Sequence, residues 1–370
     1  MINLPGILRR VWDGENKGAA TYVLSFLLCI LSLPYQLAVG VRNMLYDKGL
    51  LRSKRLSCPV ISIGNLTVGG TGKTPLTILL ARMLKENGLK PVVLSRGYGR
   101  QSGRNIAIVS DGRCILLDHH QSGDEPFLMS QLLPQIPVVV GASRFLTGKK
   151  AIEALGADIL ILDDGFQHRG LYRDIDIVLL GSSQPFGNGR LLPGGSLREP
   201  PGALRRADII VMTGSDQGAG VRLPSRLLAV LNYSSHCFQS RHEARAVLAA
   251  NREPLPLAFL QGKRIYAFSG IGNPLSFRRT IEGLGADLSG FEAFPDHHYY
   301  DAAEIAGITI HAQRLKADII LTTEKDGVRL LDYPDFLATI FLLRIEMTFI
   351  PEGGSFFKLI LDTMKTINTE

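Results

Sequence analysis

A glycine-rich stretch ending in Lys-Thr constrains the fold of this chain more than any other feature. Residues 61–75 read I-S-I-G-N-L-T-V-G-G-T-G-K-T-P, and residues 59–63 form a short apolar run before the glycines. In residues 76–85, which follow, apolar side chains recur at helical spacing until Asn87 and Gly88. A strand, a glycine loop, Lys-Thr and a helix in this order predict a phosphate-binding loop.

The chemistry of such a loop determines which residues we expect to act. Glycines let backbone N–H groups curl around phosphates, and the helix N-terminus adds a partial positive charge. We expect Lys73 to reach the β- and γ-phosphates and the Thr74 hydroxyl to hold Mg²⁺. The general pattern has glycine where this chain has Thr67, so the loop is a variant, and the alternative is a glycine turn without a ligand. The expected nucleotide-binding residues are Thr67, Gly69, Gly70, Thr71, Gly72, Lys73 and Thr74.

Short, almost wholly apolar segments predict the strands of a parallel sheet. They are residues 136–140, 157–162, 175–180, 207–212 and 317–322. Strands that are buried on both faces under helices have this composition. The prediction is an α/β fold with a mainly parallel sheet and helices on both faces.

A length of 370 residues is enough for two domains with separate cores. We predict an N-terminal membrane-associating segment over residues 1–58 and a P-loop nucleotide-binding domain over 59–230. A linker ribbon over 231–262 and a second, smaller α/β domain over 263–370 complete the prediction.

The N-terminal region combines positive charge with an apolar stretch. The chain carries a net charge of +7, and residues 1–60 hold eight basic side chains against three acidic ones. Residues 18–41 are uncharged and long enough for a helix to cross a bilayer, but they contain Pro34 and Gln36. A segment that lies in the membrane interface is therefore at least as plausible as a span, and an ordinary buried helix is the third alternative.

Other classes of partner are disfavoured by composition. The four cysteines are scattered without a C-x-x-C pair, which suggests neither a zinc site nor a disulfide framework and favours a reducing cytosolic setting. Aromatic residues do not alternate with a basic stripe, so nucleic acid is a poor candidate. Nothing in the sequence indicates an obligate protein partner.

Acidic residues follow the predicted strand over 157–162 and begin a predicted helix. Asp163 and Asp164, with Gly165 and His168 nearby, stand where a parallel strand presents a carboxylate to Mg²⁺ opposite a phosphate loop; an Asx-turn is the alternative. Asp124 and Glu125 precede a helical run, where acids are either capping groups or catalytic carboxylates.

Two adjacent histidines follow an aspartate in the C-terminal part of the chain. Asp296, His297 and His298 precede Asp301 and Glu304, which are spaced as a helix capping box. The histidines are read as metal ligands, as a catalytic imidazole oriented by a carboxylate, or as a polar turn. The second reading is favoured, because a third or fourth metal ligand at a recognisable spacing is missing from the sequence.

The motifs taken together resemble the tetraacyldisaccharide 4'-kinase family of lipid A synthesis. They are G-N-L-T-V-G-G-T-G-K-T-P, S-R-G-Y-G-R, G-D-E-P, L-D-D-G-F-Q-H, L-P-x-G-x-L-R-E-P, G-I-G-N-P, F-P-D-H-H and T-E-K-D, in this order. The resemblance implies a P-loop kinase-type fold and transfer of the ATP γ-phosphate to the 4'-hydroxyl of a tetraacylated glucosamine disaccharide 1-phosphate. It also implies a position on the cytoplasmic face of the inner membrane, in contact with its lipid surface.

The resemblance also implies roles for individual residues. Lys73 and Thr74 match the phosphate and Mg²⁺ residues, and Asp164, together with Asp163, matches the metal-side carboxylate. Asp124 is similar to the catalytic carboxylate, paired with His297 or His298, of which we favour His297. The expected substrate or active-site-loop residues are Arg96, Glu125, His168, Arg198 and Glu199.

We expect Asp124 to take the proton of the sugar hydroxyl while the imidazole stabilises it. One rival is a membrane-tethered P-loop nucleotide switch that acts on a protein partner and does not need the D-H-H motif. A second rival is a metal-dependent phosphohydrolase that uses Asp296, His297 and His298 as ligands.

Overall fold

The computed structural model of the chain describes residues 11–12, 18–101, 105–214, 236–250, 252–351 and 353–369. Within them, the predicted apolar segments form strands. The strands are β1 (Val60–Asn65), β2 (Pro91–Ser95), β3 (Ile106–Ser110), β4 (Val138–Gly141), β5 (Ile159–Asp163), β6 (Ile175–Gly181), β7 (Ile209–Thr213), β8 (His236–Leu248), β9 (Pro254–Leu255), β10 (Arg264–Ser269), β11 (Asp287–Ala293), β12 (Ile319–Thr323) and β13 (Phe341–Ile350).

Helices connect most of these strands. They are α1 (Ala19–Asp47), α2 (Lys73–Glu86), α3 (His119–Ser122), α4 (Asp124–Leu132), α5 (Arg144–Leu155), α6 (Pro274–Gly283), α7 (Ala302–Arg314), α8 (Glu324–Arg329), α9 (Pro334–Leu337) and α10 (Gly354–Thr369). Short 3₁₀ helices cover Pro201–Arg206 and Leu257–Leu260.

All of the strands belong to one sheet, with the order β11-β10-β12-β13-β8-β7-β6-β1-β5-β2-β4-β3 and β9 beside β8. Strands β8, β7, β6, β1, β5, β2 and β4 pair in parallel, as do β11, β10, β12 and β13. The two parallel sets meet where β13 pairs antiparallel with β8. The predicted α/β fold with a mainly parallel sheet is confirmed.

Side chains of alternate strand residues feed separate apolar cores on the two faces of the sheet. In β1 and β5, Ile61 and Ile161 pack in a core with helices α2 and α10, whereas Val60 and Leu160 pack in a core with α5. In β10, Phe268 joins a core with α7, whereas Ile265 joins a core with α6. Burial on both faces explains why the sequence segments are apolar without alternation.

Strand β8 lies within the stretch that was predicted as a linker ribbon, and it pairs with β7 on one side and β13 on the other. Residues 215–235, which include the predicted domain boundary at 230 and the start of the ribbon, lie outside the described residues. The division into domains at residues 58, 230 and 262 stays a prediction.

Helix α1 lies largely outside these cores. Its apolar side chains are mostly exposed, for example Tyr22 and Phe26 at 65% and Leu37 at 68%. Within the described residues, one helix, spanning Thr21–Asp47, is long and apolar enough to cross a membrane. These exposures do not fit an ordinary buried helix. The basic residues Arg9, Arg10 and Lys17 lie outside the described part of the chain.

Candidate active site

A cavity of about 1900 Å³ opens at the carboxyl ends of the parallel strands, where open α/β sheets bind ligands. Both parallel sets of strands contribute to its wall. Of the residues that were expected at the site, the cavity is lined by Gly69, Gly70, Thr71, Gly72, Lys73, Thr74, Arg96, Glu125, Asp163, Asp164, His168, Arg198 and His297. Thr67, Asp124, His298 and Glu199 lie outside this lining.

The glycine loop runs from β1 to the first turn of α2. Gly72 has φ +87°, and a Cβ there would stand 2.7 Å from His242 Nε2, so the position requires glycine. The Asn65 side-chain amide donates to Thr71 Oγ1 at 2.9 Å and fixes the loop against the end of β1. Helix α2 therefore begins at Lys73 with its N-terminus directed at the cavity, as an anion site needs.

The charged side chains beside this loop form a cluster in which two cations share one carboxylate. Lys73 Nζ lies 3.6 Å from Asp164 Oδ1, and Arg198 Nη1 donates to both oxygens of Asp164 at 2.8 Å. Burial alone would raise the pKa of Asp164, but the charges of Lys73 and Arg198 outweigh it and lower the pKa. Asp164 is thus ionised and holds two cations next to the loop.

Asp163 is the buried carboxylate of the site, with 2% of its surface exposed. Its nearest polar partners are hydroxyl groups, since Ser95 Oγ lies at 3.3 Å and Thr77 Oγ1 at 3.5 Å. Burial and the charges of Glu125 and Asp164 raise its pKa. A buried acid of this kind, which lines the same cavity as Thr74, fits an oxygen-ligated divalent cation such as Mg²⁺.

His297 brings the imidazole of the D-H-H motif to the far wall of the cavity. Its Nδ1 lies 3.0 Å from Asp124 Oδ2, although the two residues are 173 positions apart in the chain. Burial alone would raise the pKa of Asp124, but the hydrogen bond from His297 and the charges of Arg329 and Lys325 hold it well below its usual range. Because an ionised carboxylate only accepts, Nδ1 carries the proton and Nε2 is left as the basic nitrogen.

Two cations on helix α8 complete this wall, and we had not expected either as a site residue. Arg329 is fully buried; its Nε donates to Asp124 Oδ2 at 2.8 Å and its Nη1 to the Gly270 carbonyl at 2.6 Å. Lys325 Nζ donates to Glu125 Oε1 at 2.8 Å and lies 3.5 Å from His297 Nε2. Lys325 stands in the quoted T-E-K-D motif, so a sequence signal for it existed, whereas Arg329 lies beyond that motif.

The backbone is strained at two residues of the site, one aspartate and one histidine. Asp164 has φ 54° and His297 has φ 59°, in the left-handed region that side chains other than glycine rarely adopt. The Asp296 carboxylate accepts the N–H of His297 at 3.1 Å and supports the turn. Such strain concentrates at functional sites, where the surrounding structure holds a side chain in one direction.

Two glycine turns meet across the mouth of the cavity. One is the phosphate-binding loop, and the other is the turn after β10. A Cβ on Gly70 would touch the backbone of Gly272 at 3.4 Å, and a Cβ on Gly272 would collide with the backbone nitrogen of Gly70. The two parallel sets of strands thus approach each other here through backbone alone.

His298 and Glu199 are directed away from the cavity. His298 Nε2 pairs with Glu304 Oε2 at 2.8 Å, inside the capping box that Glu304 forms with Asp301 at the start of α7. Within the described residues, Asp296, His297 and His298 therefore do not converge as metal ligands.

Glu199 is fully buried beneath helix α1. It accepts hydrogen bonds from Arg42 at 3.1 Å, Asn43 at 2.7 Å and Arg206 at 3.0 Å. The neighbouring loop residue Arg198 is joined to the same helix by its carbonyl, which accepts from Tyr35 at 2.9 Å. Loop and helix are thus one unit, and the active-site role expected for Glu199 stays a prediction.

Comparison with known proteins gives consistent matches over nearly the whole chain. The family model described as tetraacyldisaccharide-1-P 4'-kinase matches residues 24–365. A tetraacyldisaccharide 4'-kinase from Syntrophus aciditrophicus is 48% identical over 368 residues, which cover 96% of this chain and 98% of the relative. One from Geobacter sulfurreducens is 40% identical over 342 residues, which cover 92% and 94%.

A solved structure also resembles this chain in fold. The crystal structure of LpxK from Aquifex aeolicus in complex with ATP is 34% identical in sequence and superimposes with a TM-score of 0.72. The match covers 92% of this chain and 99% of that one.

Proposed function

This chain belongs to the tetraacyldisaccharide-1-P 4'-kinase family, and from that premise we propose how its residues divide the work of phosphoryl transfer. The protein is an ATP-dependent kinase. It transfers the γ-phosphate to the 4'-hydroxyl of a tetraacylated glucosamine disaccharide 1-phosphate and so makes the 4'-phosphorylated lipid A precursor. The observation that carries the proposal is that Lys73 and the His297 imidazole line the same cavity.

The phosphate-binding loop is assigned to the nucleotide. Residues 69–74 offer backbone N–H groups and the N-terminus of α2 to the triphosphate, and Lys73 contacts the β- and γ-phosphates. Lys73 lies 3.6 Å from Asp164, which is a loose pair, so it can turn to a phosphate at small cost. Arg198, which already holds Asp164, is placed to balance the remaining charge.

Thr74, Asp163 and Asp164 are the residues that would hold Mg²⁺. When bound, Mg²⁺ supplies neutralisation of the charge that develops on the transferring phosphoryl group. Asp163 has hydroxyl partners and a raised pKa, which suits a carboxylate whose counter-ion arrives with the nucleotide.

His297 is the better candidate for the base, because Asp124 is 4% exposed and does not line the cavity. The sequence had led us to give the proton to Asp124. In the proposed arrangement, His297 Nε2 accepts the proton of the sugar hydroxyl as its oxygen attacks the γ-phosphorus in line. Asp124 holds the Nδ1 proton and stabilises the imidazolium, so it acts as a positioning residue.

One assay tests the activity itself. Full-length protein is incubated with γ-labelled ATP and a tetraacyldisaccharide 1-phosphate in detergent micelles, with and without Mg²⁺. We expect label on the lipid only when Mg²⁺ is present. Label released as free phosphate, with none on the lipid, would instead support the nucleotide switch.

The exposed apolar helix α1 is compatible with membrane anchoring. We propose that α1 lies on the cytoplasmic face of the inner membrane, where the acyl chains of the substrate stay in lipid. Its exposed Leu and Phe side chains would be buried in the lipid, and the basic residues before and after the helix would attract anionic headgroups.

The membrane proposal is tested with a surface substitution. Phe26, Leu33 and Leu37 are 62–68% exposed, and we expect their joint replacement by serine to shift the protein from the membrane fraction to the soluble fraction. Leu275 and Ile310, exposed at 59% and 60% away from α1, provide the matched control when replaced by serine. Equal fractionation of both variants would contradict the proposal, as would full retention after removal of residues 1–41.

A further inference from the structure

A cluster of three side chains that could ligate a metal lies outside the cavity described above. His119 and His120 lie on helix α3, and Asp332 follows helix α8. One ligand atom from each of the three lies within 4.8 Å of the other two. His120 Nε2 is 2.9 Å from Asp332 Oδ2, and His119 Nε2 is 3.5 Å from the same oxygen.

The environment of His119 points to a ligand that it would bind. The residue is 7% exposed and packed edge-on against Phe127. Its buried Nε2 makes no well-formed hydrogen bond to a described residue, because Asp332 Oδ2, at 3.5 Å, lies at the limit for one. A buried imidazole nitrogen without a good hydrogen bond destabilises the folded protein, because it has given up its hydrogen bond to water. A cation at the cluster would satisfy it.

The spacing of the ligand atoms fits a small transition-metal ion. Two ligands at about 2.1 Å from a tetrahedral ion lie about 3.4 Å apart, close to the 2.9 and 3.5 Å observed. Two imidazoles and a carboxylate are a donor set that suits Zn²⁺ rather than Mg²⁺. Asp332 is 47% exposed, which leaves an entry path and room for water as the fourth ligand.

We propose that His119, His120 and Asp332 form a Zn²⁺-type metal site, separate from the Mg²⁺ site at the phosphate-binding loop. The site joins two elements that are 212 positions apart in the chain. The same two parts of the molecule carry Asp124, five residues after His119, and Arg329, three residues before Asp332. A bound ion would therefore hold together the junction in which Asp124 and Arg329 are paired.

The test uses full-length protein in detergent, freed of metal by chelation, with excess Mg²⁺ and a non-hydrolysable ATP analogue present to occupy the phosphate loop. Co²⁺ is titrated while its visible absorption is recorded, and Zn²⁺ is titrated in competition with a chromophoric chelator. We expect one Zn²⁺ per chain, a tetrahedral-type Co²⁺ spectrum that Zn²⁺ abolishes, and a Zn²⁺-dependent rise in the melting temperature.

The variants are chosen at the two less buried members of the cluster so that they fold. Asp332→Asn and His120→Gln should each weaken Zn²⁺ binding by at least about tenfold and remove the rise in melting temperature. His311→Gln is the matched control, because His311 is an exposed histidine that lies 3.7 Å from Glu292, with no third metal ligand beside the pair in the described part of the chain. It should bind Zn²⁺ as the wild type does.

Two outcomes would overturn the proposal. One is wild-type protein that takes no Zn²⁺ from the chromophoric chelator. The other is Asp332→Asn and His120→Gln protein that binds Zn²⁺ with wild-type stoichiometry and affinity, since the ion would then be held elsewhere.

Discussion

Two ion pairs, one on the phosphate-loop wall of the cavity and one behind the opposite wall, are held in opposite ways. On the phosphate-loop wall, Lys73 and Asp164 are 3.6 Å apart, with side chains 15% and 35% exposed. Behind the opposite wall, Arg329 donates to Asp124 from 2.8 Å, and their side chains are 0% and 5% exposed. The first pair is long and reached by water, and the second is short and shielded from water. The phosphate-loop wall is therefore called the loose wall, and the opposite wall the rigid wall.

The proposed division of work in phosphoryl transfer accounts for the difference. Cations that serve the nucleotide must leave a carboxylate and turn to phosphate oxygens, so a weak pair in contact with water is suitable. An imidazole that accepts a proton must keep one orientation, and a buried, charge-assisted pair keeps it. Four predictions test whether this contrast is real.

The largest effect is expected for Asp124→Asn on the rigid wall. An amide can donate to Nδ1 and leave His297 in the wrong tautomer, so kcat should fall by about 10²–10⁴-fold. ATP affinity, measured by isothermal titration, should be unchanged because the phosphate loop is untouched. Steady-state kinetics of the double variant with His297→Gln should show little further loss. If the two losses multiply, the residues do not act as a unit.

Arg329→Met should cost the most stability. It leaves the buried Asp124 carboxylate without its cation, which destabilises a fold by about 3–5 kcal/mol. Arg198→Met is the matched change on the loose wall, where the pair is partly exposed and about 1 kcal/mol or less is expected. Urea unfolding of both variants gives the comparison, and equal losses would erase the contrast between the walls.

Lys73→Met should separate activity from stability on the loose wall. Loss of the cation at the transferring phosphate should lower kcat by roughly 10²–10³-fold. The free energy of unfolding should change by less than about 1 kcal/mol, because the Lys73–Asp164 pair is weak. A large loss of stability in urea would mean that this pair, too, is structural.

The smallest effect concerns the pH dependence that His168 gives the phosphate-loop wall. Burial and the charges of Arg144, Arg173 and Arg96 lower the pKa of His168 to about 4. In the unfolded chain the histidine pKa is about 6.5, so on acidification the unfolded chain binds the proton before the folded protein does. The free energy of unfolding should therefore fall as the pH drops from 6.5 to 4.

After allowance for partial exposure, the expected loss is about 1–2 kcal/mol. Urea unfolding at several pH values should show a flatter profile for His168→Gln than for the wild type. Parallel profiles would mean that His168 is not held neutral.

Much of the loose wall could be predicted from sequence because its parts are local. The glycine loop, Lys73 and the first turn of α2 are contiguous, and Asp163 and Asp164 end a strand that any parallel sheet delivers to the same edge. The fold class followed for the same reason, since strands buried on both faces leave an unbroken apolar signature.

The rigid wall could not be predicted in the same detail because its contacts are long-range. The choice between His297 and His298 depends on the left-handed backbone at His297 and on Glu304, which pairs with His298. Arg329 meets Asp124 across 205 residues, a separation that leaves no local pattern. Adjacent Arg198 and Glu199 face opposite sides of their loop, which their sequence alone does not reveal.

The close approach of Gly70 and Gly272 sets a mechanical limit on the enzyme. The phosphate-binding loop and the turn after β10 meet backbone to backbone, which is closer than any pair of side chains would permit. A single methyl group at residue 272 would collide with the backbone of Gly70 and push the two turns apart. The distance between the two turns is therefore set by the absence of two β-carbons.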